Sequence, residues 1–161
     1  MDSGERERIR RLEVYAHDTG TSLGRKVGFG ASGTVVETMR NSAIKAHDVP
    51  DTYERERNAY LRLRRKGIRE ICGCMVPSLI DFSDELLVIE MTIVTPPYVL
   101  DFGAAYVDQR PDYSAETIAE AMENEEELFG EDWPEMQRIR SALIGIGIFY
   151  YDAHPANVRL R

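Results

Sequence analysis

Residues 28 to 35 read Gly28-Phe29-Gly30-Ala31-Ser32-Gly33-Thr34-Val35, and residues 43 to 45 read Ala43-Ile44-Lys45. Extended sequence flanks the G-x-G-x-x-G pattern on both sides, which predicts a strand, a glycine-rich turn and a second strand. A turn without side chains lets backbone N–H groups approach a phosphate closely, and a lysine on the next strand adds a positive charge from a rigid platform. The stretch therefore predicts a nucleotide-phosphate site. Its predicted members are Gly28, Gly30 and Gly33 over the phosphates, Lys45 on them and Val35 over the base.

Two other interpretations of the glycine pattern are a dinucleotide-binding turn and an ordinary hairpin. The dinucleotide-binding pattern connects a strand to a helix. Here the segments Leu23–Val27 and Thr34–Met39 both have extended character, which disfavours that fold. An ordinary glycine-rich hairpin with an exposed lysine stays open as the structural alternative.

Composition limits the classes of protein that this chain can belong to. It has 161 residues, of which 43% are hydrophobic and 30% are charged, and its formal net charge is −8. This length permits one ordinary core or two small lobes. The negative charge disfavours a general nucleic-acid binder, and no apolar run approaches the roughly 20 residues of a membrane span. Residues 1–11 are polar and unlike a secretory signal, so we expect a cytoplasmic protein with no nucleic-acid or membrane partner.

Three local clusters have ordinary structural interpretations. Cys72 and Cys74 are one residue apart, unlike the C-x-x-C of zinc or redox sites, and we expect free thiols. A basic cluster is expected to be the solvated end of a helix, with a local anion contact as the alternative. An acidic cluster is expected to be a solvated helix face rather than a metal site. The basic cluster comprises Arg62, Arg64, Arg65, Lys66 and Arg69, and the acidic cluster comprises Glu123, Glu125, Glu126 and Glu127.

The chain divides into three predicted parts. Residues 1–18 form an N-terminal helix or arm, residues 19–94 an antiparallel lobe, and residues 95–161 a reduced, mostly helical half. The boundary falls at Thr95-Pro96-Pro97 because proline cannot donate a ladder hydrogen bond. The predicted elements are three strands between Leu23 and Ala46, a helix from Asp51 to Lys66 that Asp51 caps, strands near 75–82 and 86–91, a helix capped by Ser114 that runs to Leu128, and a helix from Trp133 to about Leu143.

This order of elements resembles the amino-terminal lobe of the protein-kinase-like superfamily followed by the start of its helical lobe. A second stretch, Tyr150-Tyr151-Asp152-Ala153-His154-Pro155-Ala156-Asn157-Val158, resembles the catalytic loop of the same superfamily. Its D-x-H-P-x-N pattern is closer to aminoglycoside phosphotransferases and to atypical, ubiquinone-biosynthesis-type kinases than to typical protein kinases. The resemblance implies an α+β, protein-kinase-like fold with an antiparallel N-lobe sheet, one helix and a reduced helical C-lobe.

The resemblance also implies ATP and Mg²⁺ as cofactors and a role for each matching residue. A helix glutamate orients the strand lysine, and Glu56 fits the spacing better than Glu54. Glu54 and Glu56 cannot both face Lys45, because residues two apart lie on different sides of a helix. The remaining implied roles are the acceptor hydroxyl for Asp152, the metal for Asn157, and backbone contacts to adenine from Ile89-Glu90-Met91-Thr92, with Glu90 and Thr92 as the binding residues.

The sequence departs from the superfamily at two points. Tyr150 and Tyr151 replace the usual His-Arg, which puts regulation by a phosphorylated activation loop in doubt. The metal-binding Asp-Phe-Gly normally follows the catalytic loop, whereas here Asp101-Phe102-Gly103 precedes it and the sequence ends at Arg161. Asp101 either replaces the missing metal ligand or is a helix-start or ribose-side residue, and its place in the order favours coincidence.

Two functions from different classes follow. One is a minimal phosphotransferase that moves the γ-phosphate of Mg-ATP to a hydroxyl of a small molecule or protein. The alternative is a catalytically inactive, pseudokinase-type scaffold that uses its acidic helical half, residues 116–131, as an interaction surface. A homodimer is plausible in either case, because a second copy could complete the reduced helical lobe.

Overall fold

The computed structural model describes residues 1–30, 33–151 and 153–161, which form an α+β arrangement whose strand pairs are antiparallel except for one. In chain order the elements are α1 (Ser3–Asp18), β1 (Leu23–Gly30), β2 (Gly33–Thr38), β3 (Ser42–Ala46), α2 (Pro50–Arg65), β4 (Glu70–Ile71), β5 (Cys74–Met75), β6 (Leu79–Ser83), β7 (Val88–Thr92), β8 (Tyr98–Val99), β9 (Tyr106–Val107), α3 (Ala115–Phe129), a short 3-10 turn (Gly130–Asp132), α4 (Trp133–Gly145), β10 (Ile148–Phe149) and β11 (Val158–Arg159).

The main sheet has the strand order β1-β2-β3-β7-β6, and each neighbouring pair is antiparallel. All residues of β3 are buried. Successive side chains of a strand point to opposite faces, so a fully buried strand needs cover on both sides. One face, called the outer face here, is covered by α1. That packing joins Leu12, Tyr15 and Ala16 of α1 to Val36, Ile44 and Val88 of the sheet.

The opposite, inner face of the sheet packs against α2 and the second half of the chain. Side chains of α2, β7 and α4 belong to one continuous apolar cluster. Burial of such side chains contributes roughly 1.5–3 kcal/mol each, so this cluster is the main core of the molecule. Its central members are Tyr60 and Leu63 from α2, Ile89 and Met91 from β7, and Met136, Ile139 and Leu143 from α4.

A buried carboxylate strengthens the contact between α1 and the outer face. Glu90 of β7 is fully buried and accepts hydrogen bonds from Tyr15 Oη (2.8 Å), Ser42 Oγ (2.6 Å) and two nitrogens of Arg40 (2.8 and 2.5 Å). Burial alone would raise the pKa of the Glu90 carboxyl, but these hydrogen bonds outweigh it and lower that pKa. Hydrogen bonds from α1, β3 and Arg40 therefore hold the Glu90 side chain on the outer face of the sheet.

Strand β8 connects the two predicted halves of the chain. It pairs antiparallel with β11, where Val99 lies opposite Val158, and parallel with β5, where Tyr98 lies opposite Met75. β9 pairs with β10 in a separate antiparallel ribbon. One sheet, in the order β11-β8-β5-β4, thus contains strands from both sides of the boundary predicted at residue 95. The division into lobes stays a prediction.

Several predicted local features can be compared directly with the structure. The prediction that Asp51 caps a helix is wrong, because α2 begins at Pro50 and its N-cap is Val49. Proline is preorganised for the first helical position, and Asp51 lies in the first turn, where a carboxylate suits the helix dipole. The Ser114 cap is confirmed, since its side chain accepts the Thr117 N–H at 3.1 Å. Both cysteines are free, as expected.

No helix within the described ranges combines the length and the apolar character that crossing a membrane requires.

Replacing Glu90 by glutamine tests the outer-face contact. The glutamine amide has the size of the glutamate carboxylate, but one of its two ends is an NH₂ group. That group cannot accept hydrogen bonds from Tyr15, Ser42 and Arg40, which in the wild type all donate to the carboxylate. We expect Glu90→Gln to lower the free energy of unfolding by about 1–3 kcal/mol, measured by urea denaturation. Glu126→Gln, at an exposed position of α3, is the matched control and should leave stability unchanged. Equal stability of the two variants would contradict this role of Glu90.

Candidate functional site

A cavity of about 620 Å³ opens between the inner face of the main sheet and the segments near residues 98–101 and 156–157. This volume lies within the roughly 300–1,000 Å³ typical of small-molecule sites. Apolar side chains form one part of its wall, and charged or amide side chains form another. The apolar part includes Val35, Ala43, Met91 and Leu100, and the polar part includes Lys45, Glu56, Asp101 and Asn157.

Lys45 and Glu56 form the predicted ion pair. β3 presents Lys45 toward the cavity, where its Nζ lies 2.8 Å from Glu56 Oε1. Both side chains are almost completely buried, whereas Glu54 is exposed on another side of α2. Of the two glutamates that the sequence left as candidates, Glu56 therefore makes the contact.

Two further donors bind the Glu56 carboxylate. His47 Nε2 lies 2.6 Å from Oε1, and the backbone N–H of Phe102 donates to Oε2 at 2.7 Å. Burial alone would raise the pKa of Glu56, but the Lys45 ammonium and the His47 hydrogen bond lower it to about 2. Burial alone would lower the pKa of Lys45, but the carboxylates of Glu56 and Asp101 raise it. The pair is thus ionised at neutral pH.

Asp101 lies in the same cavity as Lys45 and Asn157. Its Oδ1 is 3.3 Å from Lys45 Nζ, and its Oδ2 accepts a hydrogen bond from Asn157 Nδ2 at 3.3 Å. Pairing of β8 with β11 brings the two segments together, and Leu100 N–H donates to the Asn157 carbonyl at 2.8 Å. Asp101 has φ +61°, a left-handed conformation that aspartate tolerates better than most residues. In the sequence, Asp101 precedes the stretch that resembles a catalytic loop, which favoured a chance match to the Asp-Phe-Gly motif. That order gave no sign that Asp101 lies beside Lys45 and Asn157.

Asp101 and Asn157 have the chemistry to hold a magnesium ion. Mg²⁺ prefers oxygen ligands and usually takes one or two carboxylates plus phosphate oxygens and water. A carboxylate and an amide carbonyl side by side fit that pattern, because the Asn157 amide can present either its nitrogen or its oxygen. Within the described ranges, no group of three or more His, Cys, Asp or Glu side chains could hold a metal by itself. A metal here would need ligands from a bound phosphate or from water.

The glycine-rich hairpin lies at one end of the main sheet. Gly28 and Gly30 are in β1, where Gly28 pairs with Val35 and Gly30 with Gly33. Residues 31 and 32, at the predicted tip, lie outside the described residues. Gly33 has φ +147°, and a Cβ there would lie 2.2 Å from the Ala46 carbonyl oxygen. Glycine is therefore required at position 33 by the backbone of the neighbouring strand, whether or not a phosphate binds.

The segment predicted to contact adenine is only partly in the cavity. Met91, Thr92, Ile93 and Val94 line it, but Glu90 does not. The predicted backbone contact of Glu90 with adenine has no support, because Glu90 does not line the cavity and lies within the main sheet between Ile44 of β3 and Asp81 of β6. Thr92 N–H donates to the Ser78 carbonyl and its Oγ1 accepts the Ser78 N–H, both at 2.9 Å, so these groups are engaged within the protein. Sequence reasoning missed Ile93 and Val94.

Side chains of α3 and α4 contact the backbone of Tyr150 and Ala153. Asp152 itself lies outside the described residues. On one side of it, Arg140 Nε donates to the Tyr150 carbonyl at 2.9 Å; on the other, Ala153 N–H donates to Glu125 Oε1 at 3.0 Å. Glu125 and Arg140 also form a buried ion pair. The prediction that Glu125 belongs to a solvated face is therefore wrong, although Glu123, Glu126 and Glu127 are exposed.

The lowered pKa of Glu56 predicts a specific dependence of stability on pH. Its ordinary pKa is 4.5 and its folded-state pKa is about 2, so unfolding takes up a proton between these values. Stability from this group is therefore complete above pH 4.5 and is lost as the pH falls toward 2. We expect Glu56→Gln to reduce the slope of unfolding free energy against pH in this window by up to about 1.4 kcal/mol per pH unit.

Urea denaturation at a series of pH values measures that slope. Glu54→Gln changes the exposed neighbour on the same helix and should retain the wild-type slope. An unchanged slope in Glu56→Gln would contradict the ion pair as the cause.

Comparison with protein-family models finds no match for this sequence, and comparison with curated proteins finds no significant match either. Conclusions about function therefore depend on the cavity and on the side chains that converge there.

Proposed function

We propose that this protein binds Mg-ATP in the cavity and is a minimal phosphotransferase. One observation carries the proposal: Lys45, Glu56, Asp101 and Asn157 converge in a single cavity, which residues of β1 and β2 also line, Gly33 among them. A phosphate-binding lysine, its glutamate partner and two oxygen ligands for a metal are the parts that a protein-kinase-like nucleotide site needs. Their convergence in space supports the protein-kinase-like resemblance of the sequence.

The apolar part of the cavity is suited to the base. Val35, Ala43, Met91 and Leu100 offer hydrophobic surface to the flat faces of adenine. Because Thr92 uses its backbone N–H within the protein, the backbone of Ile93 and Val94 is the better candidate for the polar edge of the base. The triphosphate would then extend toward Lys45, whose ammonium attracts it from a strand that cannot easily move.

Asp101 is assigned as a metal ligand beside Asn157. It precedes the loop of Asp152 in the chain, but the pairing of β8 with β11 places it beside Asn157. Bound Mg²⁺ would neutralise charge on the phosphates during transfer. Of the two alternatives left open by the sequence, this assignment favours replacement over coincidence.

The acceptor side of the reaction is assigned to Asp152. A carboxylate at this position would orient an acceptor hydroxyl and receive its proton. Glu125 and Arg140 hold the residues on either side of it, which would keep the loop in place during transfer. A small molecule with a hydroxyl group is the proposed acceptor, because its docking requires no extended peptide surface.

A binding scaffold without catalysis is the second candidate. The contact between Lys45 and Asp101 favours it, since each group already has an oppositely charged partner within the protein. Transfer of labelled γ-phosphate to a panel of small hydroxyl compounds separates the two functions. The proposed enzyme gives a signal that Asp152→Ala removes; binding of Mg-ATP with no transfer would identify the scaffold.

Nucleotide binding is tested by thermal unfolding with ATP and Mg²⁺. At a free ligand concentration of about 100 times Kd, binding stabilises the native state by about 2.7 kcal/mol and raises the melting temperature. We expect Lys45→Met to remove most of this shift, whereas Lys66→Met, at the exposed end of α2, should keep it. The proposed site is wrong if wild type shows no shift at millimolar ATP, or if Lys45→Met retains the full shift.

The metal assignment is tested by comparing ATP with and without Mg²⁺. In wild type, Mg²⁺ should increase the ATP-dependent shift, because Asp101 and Asn157 would hold the ion and the ion would supply positive charge for the phosphates. We expect Asp101→Asn to abolish this increase and to leave binding of ATP alone intact, because the variant also removes a negative charge near the phosphates. Asp112→Asn, at an exposed position, is the control. A full Mg²⁺ effect in Asp101→Asn would exclude Asp101 as a metal ligand.

A further inference from the structure

His47 is a buried polar residue that the proposed phosphate and metal contacts do not include. It lies two residues after Lys45, directly after the end of β3, and both side chains reach the same oxygen of Glu56. The residue is completely buried, and its ring makes an edge-to-face contact with Tyr53 at a centroid distance of 5.6 Å. Its Nδ1 is 3.3 Å from the Leu87 carbonyl oxygen, and its Nε2 is 2.6 Å from Glu56 Oε1.

The direction of the short hydrogen bond follows from the state of Glu56. An ionised carboxylate can only accept, and the pKa of Glu56 lies at about 2. His47 Nε2 must therefore carry a proton and donate it to Oε1. The same oxygen accepts from Lys45 at 2.8 Å, so one carboxylate oxygen is shared by a donor on β3 and a donor directly after it.

Sharing of that oxygen distinguishes His47 from a histidine that only fills the core. A space-filling residue could be replaced by an apolar one of similar size without affecting Lys45. Here, loss of the imidazole N–H would leave Lys45 as the only side-chain donor to Oε1 among the residues that the structure describes. The negative charge on that oxygen would then act on the ammonium alone, and Glu56 would lose one of the contacts that fix its orientation.

We propose that His47 is a positioning residue for the Lys45–Glu56 pair. It holds Glu56 without itself lining the cavity and takes part of the carboxylate's charge, which leaves the Lys45 ammonium better able to attract a phosphate. The contact with Glu56 stands on the geometry alone, whereas the effect on phosphate rests on the proposed function.

Two variants separate positioning from packing. His47→Leu keeps an apolar volume but removes the donor, and His47→Gln keeps an amide N–H that can reach the carboxylate. We expect His47→Leu to raise the Kd for Mg-ATP at least about tenfold, which corresponds to the loss of one hydrogen bond to a charged group. His47→Gln should recover most of the affinity. Affinity for adenosine, which has no phosphate, should be the same in all three proteins, as measured by calorimetry.

A nucleotide-independent measurement keeps the inference testable. The chain has 3 histidines, and the other two, His17 and His154, are exposed. Imidazole ¹⁵N–¹H spectra of the free wild-type protein should contain a slowly exchanging Nε2–H signal that His47→Gln removes. Circular dichroism and thermal unfolding establish that each variant is folded before its affinity is compared.

Each outcome has a distinct meaning. If wild type fails to bind Mg-ATP but shows the protected Nε2–H signal, the proposed function fails while the contact with Glu56 stands, and the inferred effect on phosphate fails with that function. If wild type binds Mg-ATP and folded His47→Leu binds it equally well, the inference about His47 alone is overturned. An Nε2 without a proton also overturns it.

Discussion

The buried carboxylate of Glu56 is the constraint on which the arrangement of this molecule depends. It belongs to α2, and it accepts hydrogen bonds from Lys45 of β3, from His47 just after that strand, and from the Phe102 N–H in the second half of the chain. An uncompensated charge at such a buried position would cost several kcal/mol. Displacement of the helix, the strand or the 101–103 segment would remove a donor, so the three parts hold one another in place.

In the second half of the molecule, residues that are distant in sequence lie side by side. Asp101 and Asn157 are far apart in sequence but meet because the two-residue strands β8 and β11 pair beside the cavity. An aromatic contact supports this junction: Phe102 lies 5.4 Å from both Tyr60 and Tyr150, measured between ring centroids. Short strands contribute few hydrogen bonds, so the packing of Phe102 is an important part of what keeps the pairing in register.

The extent to which sequence predicted this structure depends on the range of the interactions involved. The hairpin, the β3 lysine and the choice of Glu56 follow from local alternation and helical periodicity. Glu90 was predicted to contact a base because the local sequence does not reveal that β7 pairs with both β3 and β6 and that Glu90 lies between them. Glu125 was misread because its partner Arg140 lies on another helix, and a run of glutamates does not reveal which member turns inward. The position of Asp101 depends on a long-range strand pairing that motif order cannot reveal.

The close contact between Gly33 and the Ala46 carbonyl has a consequence for how chains of this type diverge. A side chain at position 33 would collide with backbone rather than with a movable group, so the hairpin cannot form without glycine there. A descendant that had lost every ligand would still need that residue in order to fold. Survival of the third glycine in a distant copy would consequently report an intact hairpin and would carry no information about retained chemistry.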